Sequence, residues 1–151
     1  MASLVIAEHD NATLKGATLN TVTAALACGG EVHILIAGHN AGEAAKAAAA
    51  VAGVAKVIHA EGAHFEHGLA ENVAAQVLAI AQSYSHLLFP ATASGKNIAP
   101  RVAAKLDVAR LKSKIDATAP DVSERLKHLT ETLNSGIALK RRIIEDLRPS
   151  S

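Results

Sequence analysis

Four short apolar runs, separated by stretches with helical spacing, constrain this chain more than any other feature. Leu4-Val5-Ile6-Ala7, Val32-His33-Ile34-Leu35-Ile36-Ala37, the weaker Val57-Ile58-His59, and His86-Leu87-Leu88-Phe89 are bounded by polar residues or turn formers. Such runs are the signature of strands buried on both faces. Between them, Leu19, Val22 and Leu26 share one helical face. Residues 41–52 are mostly alanine, and Leu69, Val73, Val77 and Ile80 form a further stripe. After the last run, Ile98, Val102 and Leu106 make a fourth, all at the three- and four-residue steps of an α-helix. Strands that alternate with helices need crossover connections, so the expected sheet is parallel with helices on both faces. Right-handed crossovers then give a Rossmann-like three-layer α/β domain, expected over residues 1–110.

The composition changes beyond that point. Residues 111–151 hold 8 of the 15 basic and 6 of the 14 acidic residues, with only three alanines. Pro120 and Asp121-Val122-Ser123-Glu124 make a capping box. Val122, Leu126, Leu129 and Leu133 follow as an apolar seam, Asn134-Ser135-Gly136 interrupts it, and Ile137, Ile143, Ile144 and Leu147 continue a second amphipathic stretch. An α-helical tail over 111–151 is expected, as a hairpin or as one bent helix.

Net charge is +1 over 151 residues, which gives no support for nucleic acid or an anionic membrane as the main partner. One cysteine, Cys28, excludes an intramolecular disulfide framework and a cysteine metal cluster; next to Gly29-Gly30 it reads as a small buried filler. No apolar run approaches the roughly 18 residues of a membrane span. The first run begins at Leu4, so no signal or transit peptide is expected and the expected location is cytoplasmic.

Ligands of parallel sheets bind beyond the carboxyl ends of the strands, which directs attention to the loops 8–13, 38–42, 61–68 and 91–97. Ser94, Gly95, Lys96 and Asn97 open the fourth helix and make a candidate anion or nucleotide loop. Pro90 and Asn97 stand where a Walker A loop would have its first glycine and its magnesium-binding hydroxyl. A turn capped by Thr92 or Ser94 is the plainer reading. Glu8-His9-Asp10-Asn11 offers ribose contacts or an acid–base pair, against a turn closed by its own side chains. His64 and His67 invite a metal, but two loop histidines fall short of the three or four ligands zinc requires. His33 and His59 read as hydrogen-bonded strand residues. No catalytic set and no metal site is expected.

Leu4 to Asn11, Leu14 to Val22, His33 to Asn40 and above all His86-Leu87-Leu88-Phe89-Pro90-Ala91-Thr92-Ala93-Ser94-Gly95-Lys96-Asn97-Ile98-Ala99-Pro100-Arg101-Val102-Ala103 resemble the amino-terminal domain of the electron-transfer flavoprotein alpha subunit, over about residues 3–108. The resemblance implies an electron carrier rather than an enzyme. It implies pairing with a beta subunit that in many members binds AMP, and electrons drawn from flavin dehydrogenases. FAD is the family cofactor, held mostly by a carboxyl-terminal domain whose motifs this sequence lacks. The expectation is therefore a truncated or rearranged relative that does not bind FAD alone. Two alternatives remain open: a stand-alone adenine-nucleotide module that takes AMP at residues 94–97, and a self-dimer or interaction protein acting through its tail helices.

Overall fold

A computed structural model describes residues 1–118 together with 124, 125, 127–129, 131, 132 and 135. The chain divides into two compact units, Met1–Leu106 and Asp107–Ser151. The first contains strands β1 (Ala2–Ile6), β2 (Val32–Gly38), β3 (Val54–Glu61) and β4 (Tyr84–Leu88). Between them lie helices α1 (Gly16–Ala27), α2 (Gly42–Ala49) and α3 (Ala70–Ile80), and helix α4 (Ala93–Thr118) follows β4. The sheet order is β3-β2-β1-β4 and every pair is parallel. The α/β class expected from the apolar runs is the class observed.

Each face of the sheet builds its own core. Register places Val5 beside Ile34 and Ile6 beside Leu35, and side chains alternate between faces along each strand. Val5, Ile34 and Ile36 pack with Val22 and Ala25 of α1 and with Ala44 and Ala48 of α2. Leu4, Ile6 and Leu35 pack with Val73 and Val77 of α3 and with Ile98 and Val102 of α4. Leu4, Val5, Ile34, Leu35 and Ile36 are fully buried, which is why their runs carry no polar alternation. Alanine on α2 permits its short helix to lie close to the strands, since a methyl group is all that the contact accommodates.

Several details depart from the sequence reading. The weak third run is an eight-residue strand, because parallel pairing with β2 from Val32 to Gly38 carries polar positions such as Lys56 into it. On α1 the buried face is Thr18, Thr21, Val22 and Ala25, while Leu19 and Leu26 stay about half exposed. Threonine hydroxyls displace leucines from the inward face because they have partners there: Thr21 bonds back to the Ala17 carbonyl at 2.8 Å. Leu69 precedes α3 and is exposed. Cys28 is exposed too, as it caps the end of α1 instead of filling the core.

Helix α4 continues through Pro100 as far as Thr118. Ile98 and Val102 are buried, whereas Val108 and Leu111 are exposed. In the second unit, the described residues 124, 125, 127–129, 131, 132 and 135 are helical and Leu129 is exposed. The capping box at 121–124 lies mostly outside the described residues, and the stretch from Ile137 to Leu147 lies wholly outside them.

Burial predicts a sharp contrast between two aliphatic positions. Ile34→Ala is expected to lower unfolding free energy by about 2–5 kcal/mol, and Leu19→Ala by no more than about 0.5 kcal/mol. Urea denaturation, read as a midpoint shift at constant slope, checks both.

Candidate functional site

Strand order reverses between β1 and β4, so the crevice between their carboxyl ends is the place where a fold of this kind receives ligands. The loop after β1 is closed by its own side chains. Asp10 accepts the amide N–H of Ala12 at 3.0 Å and of Thr13 at 2.6 Å, and the Thr13 hydroxyl at 2.9 Å. The Thr13 amide, the Thr13 hydroxyl and the Ala12 amide together hold the Asp10 carboxyl down to about 2. His9 lies within hydrogen-bonding distance of the Ala37 carbonyl through Nε2, at 2.8 Å, and its Nδ1 accepts the Asn11 amide at 3.0 Å. A carbonyl can only accept, so the proton is on Nε2 and both ring nitrogens are committed. The turn reading of this segment holds, and no acid–base pair forms.

Neighbouring elements fix the loop in place. The Glu8 amide donates to the Thr18 hydroxyl at 2.9 Å, and that hydroxyl donates to the Glu8 carbonyl at 3.0 Å. The Ala44 amide of α2 donates to the Asn11 carbonyl at 3.2 Å. At Gly38 a Cβ would fall 2.8 Å from Asn11 Oδ1 and 2.9 Å from His9 Cε1, so only glycine lets the β1 loop close over the end of β2.

Glu61 is a second staple, and periodicity gave no hint of it. The parallel register pairs it with Gly38, beside the β2–α2 loop. Its carboxylate accepts the Asn40 amide, and also the Ala41 amide at 3.3 Å. His59 Nε2 lies 2.9 Å away and His39 Nδ1 3.5 Å away. The Asn40 amide, more than any other neighbour, holds the Glu61 carboxyl below its usual range.

After β4 the four candidate residues go separate ways. Thr92 caps α4: its hydroxyl accepts the Gly95 amide at 3.2 Å and its carbonyl the Lys96 amide at 2.9 Å. Gly95 is buried against Pro90, where a Cβ would stand 1.8 Å from the Pro90 carbonyl oxygen. Asn97 accepts the Arg101 Nε–H at 3.2 Å. Ser94 alone of the four lines the crevice, with Glu8, His9, Asn11 and Glu66. His64 and His67 are exposed in the loop after β3. Among the described residues no three His, Cys, Asp or Glu side chains gather as metal ligands.

The crevice encloses about 140 Å³, well short of the ~300–1,000 Å³ of typical small-molecule sites. Two carboxylates line it and neither Lys nor Arg does. These residues do not fit a flavin dinucleotide, and a nucleotide phosphate would meet repulsion.

Against this geometry stand the comparisons with known proteins. Residues 3–140 match the electron transfer flavoprotein domain family. The chain belongs to that family. It is 52% identical over 125 residues to the electron transfer flavoprotein subunit alpha of Pseudomonas aeruginosa, covering 83% of this chain and 40% of that protein. The corresponding subunit of Bradyrhizobium diazoefficiens is 51% identical over 125 residues, with the same coverage. A probable mitochondrial alpha subunit from Caenorhabditis elegans is 37% identical over 142 residues, 93% of this chain and 41% of that protein. The chain therefore spans about 40% of the length of these relatives, and the family match continues past the stretch that carries the resemblance, to residue 140.

Two predictions follow from the loops. A carboxyl whose folded value is depressed stabilises fully above its unfolded value of about 3.9 and loses that contribution as pH falls through its folded value. The stability difference between wild type and Asp10→Ala is therefore expected above about pH 4 and should vanish toward pH 2, with Asp10 itself titrating at about 2 by carbon-detected NMR. Gly95→Ala, which forces backbone apart, is expected to cost about 1–3 kcal/mol in thermal or urea unfolding.

Proposed function

We propose that this chain acts as the amino-terminal-type scaffold domain of an electron-transfer flavoprotein alpha subunit. It pairs with a beta subunit in the transfer of electrons from flavin dehydrogenases, holds no FAD by itself and catalyses nothing alone. The observation that carries the reading is the switch-point crevice. In a fold that ordinarily receives nucleotides there, the space is small and lined by the Glu8 and Glu66 carboxylates, and the loops at this edge are held by Asp10, His9, Glu61 and Thr92 bonding to nearby backbone. With no room for a cofactor in that crevice, what the domain offers is surface. Leu19 and Leu26 on α1 are half exposed, and on a different face of that helix Ala17 and Ala24 line a groove with Leu88 and Phe89. Apolar area of this kind suits a protein partner.

No described helix is long and apolar enough to cross a membrane, and we place the protein in the cytoplasm with its electron donors. The competing reading, AMP at Ser94, Gly95, Lys96 and Asn97, is weakened by the engagement of the Gly95 and Lys96 amides with Thr92. Pairing through the tail, as a self-dimer, is the other rival.

Mixing the purified chain with an electron-transfer flavoprotein beta subunit is expected to give a one-to-one complex by light scattering. After incubation with FAD and desalting, the chain alone should show no flavin absorbance, and calorimetry with AMP should show no saturable heat. Stoichiometric flavin on the isolated chain, tight AMP binding, or a self-dimer indifferent to the beta subunit would overturn the reading.

A further inference from the structure

At the opposite end of the sheet, near the amino ends of the strands, Glu31, His33 and Tyr84 form a hydrogen-bonded chain that the scaffold role does not use. His33 Nδ1 lies 2.9 Å from the Tyr84 hydroxyl, and Nε2 lies 3.1 Å from Glu31 Oε2. The two rings meet edge to face with centroids 5.4 Å apart. The His33 side chain is only 14% exposed, so the arrangement is held by packing. The direction of these bonds follows from chemistry. When the His33 ring is neutral, an ionised Glu31, which can only accept, draws the ring proton to Nε2 and leaves Nδ1 as the acceptor. The Tyr84 hydroxyl therefore donates to His33, and its oxygen keeps lone pairs for an outside donor.

Tyr84 and His33 form the polar wall of a cavity of about 510 Å³, whose apolar wall is Ile58 and Ile80, with Lys56 and Ser83 at its edge. This volume falls within the range of small-molecule sites. No carboxylate lines it, and among the described residues Lys56 makes no salt bridge. A cation with no salt bridge among the described residues, a tyrosine oxygen with lone pairs to offer and an apolar floor together specify a ligand.

We propose that this cavity binds a compact organic hydroxy acid. Its carboxylate pairs with the Lys56 ammonium, its hydroxyl donates to the Tyr84 oxygen, and its carbon skeleton lies on Ile58 and Ile80. Glu31 and His33 do not touch the ligand; they are positioning residues that keep the Tyr84 proton turned away from it. The site shares no lining residue with the switch-point crevice.

The test is an NMR titration of the full chain with sodium 3-hydroxybutyrate, butyrate and 1,3-butanediol, each at matched ionic strength. Tyr84 is the only tyrosine and the chain has no tryptophan, so intrinsic fluorescence reports on the same cavity. The hydroxy acid is expected to give saturable shifts confined to His33, Lys56, Ile58, Ile80 and Tyr84, and to bind about tenfold tighter than either the acid without the hydroxyl or the diol without the carboxylate. Lys56→Met should weaken the hydroxy acid about tenfold. Tyr84→Phe should bring it level with butyrate, as should His33→Phe, which frees the tyrosine proton. Absence of saturation with the hydroxy acid, equal affinity for the three compounds, or an unaltered Lys56→Met titration would overturn the proposal. The three-ligand comparison on the wild-type chain decides it even where a variant fails to fold.

Discussion

The burial of β1 and β2 on both faces is the constraint on which the rest of the structure depends. Leu4, Val5, Ile34, Leu35 and Ile36 are shut from water by helices above and below. A strand sealed in this way has a single workable register, because a slip of one residue would exchange the contents of the two cores. Fixed register then decides which residues meet at the carboxyl edge. It brings Glu61 alongside Gly38, and from there its carboxylate reaches the Asn40 and Ala41 amides.

The same edge shows how a nucleotide-type fold can be occupied from within. Several backbone amides at this edge have found partners within the chain. Asp10 takes the amides of Ala12 and Thr13 in its own turn, Thr92 takes those of Gly95 and Lys96 in α4, and Glu61 takes those of Asn40 and Ala41 before α2. Buried or half-buried polar backbone demands such partners, and local side chains satisfy it without a bound molecule.

The strands and the parallel sheet were legible in the sequence because full burial writes itself as uninterrupted apolar runs. Helix α2 was legible through alanine. The buried face of α1 was not: apolar periodicity points to Leu19 and Leu26, while Thr18 and Thr21 take the inward positions through hydrogen bonds that hydrophobic pattern does not record. At the candidate site, the capped turn at Thr92 and the closed turn at Asp10 could be read from local residue chemistry. Ser94, Gly95, Lys96 and Asn97 are contiguous in sequence yet do not converge, since a helical start points successive side chains in different directions. The Glu61 staple and the Glu31–His33–Tyr84 chain join residues distant in sequence, and only strand order reveals them.

The two outer strands differ in a way that bears on self-association. β3 carries Lys56, His59 and Glu61 along its length, whereas the only ionisable groups of β4 are Tyr84 and His86. Charge on an outer strand discourages sheet-to-sheet joining, so one margin of this sheet is guarded and the other is not. Molecules that adhere through a single margin meet as two-fold pairs and stop there, because no second adhesive margin remains to extend a filament.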